Sequence, residues 1–116
     1  MNIIFHKELA EGRWFTLSLA EQLGNIGSEV GRARIWKDKD EKTFQGAVDR
    51  ALELFDLTLA DSRWKGRLRE IGRARETFCD AVLGGAEYKS SLEDLESYFL
   101  PFALDARNFC RRISDY

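Results

Sequence analysis

A chain of 116 residues with 44% hydrophobic content is long enough for one domain. Such a domain buries about two-thirds of the surface its unfolded chain exposes, so a core forms without a metal or disulfide staple. The 18 Lys and Arg nearly cancel the 20 Asp and Glu, leaving a net charge of −2, which removes global charge as an argument about partners and leaves only local patches.

Apolar runs last only a few residues, and the leading MNIIFHKELAEG turns polar at His6, so neither a membrane-spanning helix nor a secretory signal is expected. Residues 1–17 show no sustained period. Ile3, Ile4, Phe5, Trp14 and Phe15 are nevertheless too apolar for a free tail, and the stretch is read as an N-terminal arm packed on its own domain or on a neighbour. Residues 18–116 form the domain proper. A single proline and a surplus of Leu, Ala, Glu and Arg favour helix throughout, and periodicity separates four helical segments.

The first helix starts at the capping box Ser18-x-x-Glu21 and carries Leu19, Leu23, Ile26, Val30 and Ala33 on one face. The second, capped by Asp40 after the polar turn KDKDEK, presents Phe44, Ala47, Val48, Ala51, Leu52, Phe55 and Leu59, and ends near Ala60. Asp61 or Ser62 caps the third, with Trp64, Leu68, Ile71, Phe78 and Val82 inward and Gly84-Gly85 as its stop. The fourth begins at Ser90 or Ser91 and carries Leu92, Leu95, Phe99, Phe102, Ala106, Phe109 and Ile113. Pro101 falls on its outer side, where a kink is expected and not a break. The predicted fold is therefore all-α, an antiparallel up-down-up-down four-helix bundle.

Three glycines interrupt the first helix at a cost of about 1 kcal/mol each. Gly24, Gly27 and Gly31 align with Ala20 into a second stripe beside the apolar one. Small residues in a row let another backbone approach closely, and the added dispersion contact offsets the lost propensity. Sequence alone leaves open whether the visiting helix belongs to the same chain or to a second copy.

Catalytic chemistry finds no foothold. His6 is the single histidine and lies in the unpatterned arm, so no His-based general base, metal cluster or Glu-x-x-His di-iron set is available. No Gly-Lys-Ser/Thr phosphate loop occurs. Cys79 has no base near it in sequence, and Cys79 and Cys110, lacking a CxxC, read as reduced thiols of a cytoplasmic protein. No catalytic residue, metal ligand, cofactor or small-molecule substrate is assigned.

One charge feature stands above background. In RWKGRLREIGRAR, residues 63–75, six basic side chains (Arg63, Lys65, Arg67, Arg69, Arg73, Arg75) face Glu70 alone, while residues 38–61 carry an acidic bias. Lys65, Arg69 and Arg73 project opposite the core stripe and suit phosphate contacts, with Arg63 and Arg67 beside them. The same charges also suit mutual satisfaction of neighbouring helices in the bundle or across an oligomer. Arg34 and Arg75 point toward the apolar side and need an acidic or carbonyl partner. Leu100 and Leu104 pair at i,i+4 off the main stripe, and Trp36 falls on a polar face; with the glycine stripe these mark a second packing surface, in this chain or between copies.

The stretches SLAEQLGNIGSEVGRA, FQGAVDRALELFDLTLADSRWKGRLREIGRARE and YKSSLEDLESYF resemble a group of short bacterial proteins. More distantly they resemble the four-helix-bundle family found in intervening sequences of large-subunit ribosomal RNA genes and as accessory variability proteins of diversity-generating retroelements. The likeness spans roughly residues 17–104 and rests on helix order, loop lengths and the QL..IGSE and A..RALEL textures. It implies an antiparallel bundle assembled as a ring, commonly a pentamer, that accompanies a reverse transcriptase and binds RNA or DNA through basic surfaces. The function expected is that of a non-enzymatic, homo-oligomeric accessory or scaffold protein. Two other classes fit the same features: a protein-interaction module with no nucleic-acid role, and a small enzyme or toxin whose site carries no known motif.

Overall fold

A computed structural model describes residues 12–114, with side chains through residue 105; most of the expected arm, residues 1–11, lies outside the described residues, as do the side chains of Ala106, Phe109, Cys110 and Ile113. Among the described residues a 3-10 turn at Arg13–Thr16 precedes four long helices, α1 (Leu19–Trp36), α2 (Glu41–Leu59), α3 (Leu68–Val82) and α4 (Leu92–Ser114), which are joined by short loops and, between α2 and α3, by a second 3-10 turn at Ser62–Arg67. Among the described residues there is no strand, and no helix is long and apolar enough to cross a membrane.

The helix boundaries follow local chemistry. Ser18 Oγ accepts from the Glu21 amide at 3.1 Å while Glu21 Oε1 accepts from the Ser18 amide at 3.0 Å, a complete capping box. Asp40 Oδ1 takes the amides of Lys42 and Thr43 at 3.1 and 3.2 Å. Ser91 and Asp94 exchange the same reciprocal pair at the start of α4, both at 3.1 Å. At the end of α3, Gly84 and Gly85 adopt φ of 114° and 77°, and the Gly85 amide reaches back to the Asp80 carbonyl at 2.8 Å.

Leu23, Ile26, Val30 and Ala33 of α1 meet Ala47, Val48, Ala51, Leu54 and Phe55 of α2, Ile71, Phe78 and Ala81 of α3, and Leu92, Leu95 and Phe99 of α4. Phe55 sits centrally, its ring 5.9 Å from both Phe78 and Phe99. The most extensive packing is that of α1 against α4 and α2; α3 leans on α2 and touches α4 lightly. Pro101 is exposed within a continuous α4, so the helix does not break there.

The glycine stripe meets α4 of the same chain. A Cβ on Gly24 would lie 3.0 Å from Ala103 Cα, one on Gly27 would lie 2.6 Å from Phe99 Cβ, and one on Gly31 would lie 3.1 Å from Glu96 Oε1. Rising numbers on α1 meet falling numbers on α4, so the two helices run antiparallel. Arg34, one turn further, pairs with Glu96, which supplies the partner its position required.

The third helix differs from expectation. The α-helix begins only at Leu68, because residues Ser62–Arg67 wind as a 3-10 turn with Trp64 at φ −102°, ψ 26°. A 3-10 turn has three residues per turn instead of 3.6, which rotates everything before Leu68 out of phase with a stripe drawn on one continuous α-helix. Trp64 is therefore only half-buried; within the α-helix itself Leu68 is exposed at 41%, Val82 is half-buried, and the buried face of α3 is Ile71, Phe78 and Ala81.

Candidate nucleic-acid interface

The 3-10 turn that opens the basic stretch is anchored by a buried hydrogen-bond network. Asp61, only 3% exposed, caps the turn by accepting the Arg63 amide at 3.1 Å and also takes the Arg63 guanidinium at 2.7 Å. Gln22, fully buried on α1, donates from its side-chain amide to Asp61 Oδ2 at 3.0 Å and to the Trp14 carbonyl at 2.9 Å, and accepts from the Trp64 indole at 2.8 Å. Trp14 in turn donates to Thr58 Oγ1 at 3.1 Å. Arg63 hydrogen-bonds the Leu17 carbonyl at 2.6 Å and lies 4.4 Å over the Trp64 ring.

The bonds to the Arg63 guanidinium, with help from Gln22 and against the opposing effect of burial, hold the Asp61 carboxyl down to about 2. Asp61 is thus a locked anion at neutral pH and not a proton carrier. Because each buried polar group here has partners, the network fixes where the turn leaves the bundle end.

From that fixed point the basic side chains divide. Arg63 turns inward as the clamp just described. Arg67 pairs with Glu70 at 3.0 Å, which holds the Glu70 carboxyl below its ordinary value, and Tyr98 donates to the same carboxylate at 3.1 Å. Arg75 reaches across to Asp56 of α2 at 2.9 Å. Arg73 is exposed, stacks at 4.8 Å on Tyr88 and makes no ion pair among the described residues. Lys65 and Arg69 are exposed and have no hydrogen bond or ion pair among the described residues. The exposed basic side chains without an ion pair are therefore Lys65 on the 3-10 turn and Arg69 and Arg73 on α3, with Tyr88 beside Arg73.

Beside these side chains a cavity of about 310 Å³ opens between α3 and α4, walled by Glu70, Arg73, Ala74, Thr77, Leu95 and Tyr98. It mixes both signs of charge and gathers no reactive set. Among the described residues no group of three or more His, Cys, Asp and Glu side chains comes close enough to hold a metal.

The network was not anticipated from sequence, although a signal for it exists. Gln22 and Glu29 flank Ile26 at helical spacing, and Thr58 and Asp61 extend the line Ala47, Ala51, Leu54, so polar residues complete two otherwise apolar stripes. Glu29 is likewise satisfied, by Arg50 at 3.0 Å and by Arg32. Of the residues marked as a second packing surface, Gly24, Gly27 and Gly31 are occupied within the chain, whereas Trp36, Leu100 and Leu104 stay exposed at 39%, 55% and 45%. Comparison with protein-family models, curated proteins and solved structures returns no match to this chain.

Proposed function

We propose that the chain is a non-enzymatic, homo-oligomeric accessory or scaffold protein of the cytoplasm, an up-down-up-down bundle that binds RNA through the outward basic side chains of its third helix and of the turn before it. The reading is carried by one observation: Lys65 and Arg69 stand in solvent with no partner among the described residues, while Arg63, Arg67 and Arg75 of the same stretch are each tied to a carboxylate. Unneutralised cations on the 3-10 turn and on the helix it leads into suit a phosphate chain, and Arg73 on Tyr88 adds a flat surface on which a base can stack. The resemblance to bundles that accompany reverse transcriptases supports the same partner class, either free RNA or RNA held by such an enzyme.

The experiment is a titration of labelled single-stranded RNA with the wild-type chain and with a Lys65→Gln, Arg69→Gln, Arg73→Gln variant. The reading requires binding by the wild type and a marked loss in the variant at unchanged thermal stability. The second reading, a protein-interaction module with no nucleic-acid role in which these charges serve packing and assembly, draws on the Arg75–Asp56 pair, where one cation of the stretch is already used by α2 of the same chain. Under that role the triple variant alters assembly mass and leaves RNA affinity unchanged.

A further inference from the structure

We propose that the cavity between α3 and α4 is a guanine pocket, which takes one base of the single-stranded RNA whose phosphates lie along Lys65, Arg69 and Arg73. The inference rests on the RNA-binding reading of the proposed function and names the base that it selects. α3 touches α4 only lightly, and the gap between them is the cavity of about 310 Å³. That volume stands at the lower end of ligand pockets, about 300 Å³, and suits one nucleobase with its ribose. Its place in the fold joins it to the cations. Arg69 and Arg73 are one turn apart on α3, and Arg73 is also part of the cavity wall.

The wall suits a flat ring. Ala74 of α3 and Leu95 of α4 supply apolar surface, and the Tyr98 ring stands beside them. Tyr98 packs edge-on against Phe99 and Phe102, at 5.1 and 5.8 Å between ring centroids, while its hydroxyl donates to Glu70 at 3.1 Å. The aromatic surface is thus fixed before a ligand arrives, and a base can stack on it without ordering the ring first.

Two carboxylates reach the cavity, and they differ. Glu70 is already engaged by Arg67 and Tyr98. Asp94 Oδ2 takes the Ser91 amide at 3.1 Å and keeps its second lone pair, and Oδ1 takes no hydrogen bond from a described residue. An ionised carboxylate offers acceptors alone. Guanine is the RNA base whose Watson–Crick edge sets two donors side by side, N1–H and N2–H, so it meets Asp94 with two parallel hydrogen bonds. Adenine and cytosine place a ring-nitrogen acceptor beside their amino group, and uracil flanks its one N–H with two carbonyls. Each of these three turns a lone pair toward the carboxylate, and that repulsion adds to the selection of guanine.

The test is fluorescence anisotropy of the full chain with a labelled oligouridylate and with the same oligomer carrying one central guanosine, at low and moderate salt, with assembly mass followed by light scattering. The guanosine oligomer is expected to bind the wild type about tenfold tighter. That ratio is expected to hold as salt rises, because the added bonds neutralise no phosphate. Asp94→Asn keeps an oxygen for the Ser91 amide but sets a donor beside it, and Thr77→Phe puts a ring into the cavity from its half-buried wall. Each is expected to bring the ratio to about one, with thermal melts showing that the variant is folded; either folded variant alone decides the matter. Failure of the wild type to bind either oligomer at low salt overturns the RNA reading and this pocket together. Equal binding of the two oligomers, or a guanosine preference that survives in a folded variant, overturns the pocket alone. So does an assembly that Thr77→Phe dissociates, because a second copy would then be what fills the groove.

Discussion

Replacing Gly27 by alanine adds one methyl group to α1 and sets two opposed effects against each other. In helix propensity the change is favourable by about 1 kcal/mol. In packing it places a Cβ 2.6 Å from Phe99 Cβ, well inside contact distance. Phe99 cannot swing aside, because the atom struck is its own Cβ, fixed to the α4 backbone, and its ring is buried between Phe55 and Tyr98. Relief requires α1 and α4 to part by roughly 1 Å, which loosens the most extensive helix contact in the molecule. Overpacking of this kind costs about 1–3 kcal/mol, so Gly27→Ala should destabilise by about 1 kcal/mol net. Three other glycines calibrate the reasoning. Gly24→Ala meets the Ala103 backbone at 3.0 Å and should be mildly unfavourable; Gly31→Ala meets the movable end of Glu96 and should be near neutral; Gly72→Ala meets nothing within 4 Å and should stabilise. Urea and thermal melts of the four variants give the ranking, and a Gly27→Ala midpoint as high as that of Gly72→Ala would refute the close-packing argument.

The Asp61 carboxyl lies below its ordinary 3.8, at about 2, so its stabilising contribution is complete above pH 4 and is lost as pH falls toward 2. The difference corresponds to about 2 kcal/mol, and an Asp61→Asn variant should lack that acid-dependent loss in pH-resolved denaturation. Thr58→Val removes the acceptor of the buried Trp14 indole and should cost about 1–3 kcal/mol in urea unfolding, whereas Thr58→Ser should recover most of it. Lys65→Gln and Arg69→Gln, which touch no described partner, should each leave stability within about 0.5 kcal/mol, measured in the same way.

Helix number, caps and most of the core were legible in the sequence because each depends on contacts within a few residues. The Ser18/Glu21 box and the Gly84-Gly85 stop are local signals, and the stripes of α1, α2 and α4 are repeats of one period. The phase of α3 was not legible, since a change from α to 3-10 winding at Ser62–Arg67 leaves no mark in apolar spacing. Nor was the destination of Arg63. Its outward neighbours look identical in sequence, and only the buried Asp61, held by Gln22 from another helix, draws it in. The glycine stripe announced a close approach, but its partner, Ala103 to Glu96, depended on which helix the chain folds back.

The salt dependence of RNA binding tests the central functional claim most directly. Each phosphate neutralised on a single strand contributes about 0.7 to the slope of log affinity against log salt. If Lys65, Arg69 and Arg73 contact phosphates, the wild-type chain should bind labelled single-stranded RNA with a slope steeper by about 2 than that of the triple glutamine variant. Equal slopes, or no binding by the wild type at low salt, would contradict it.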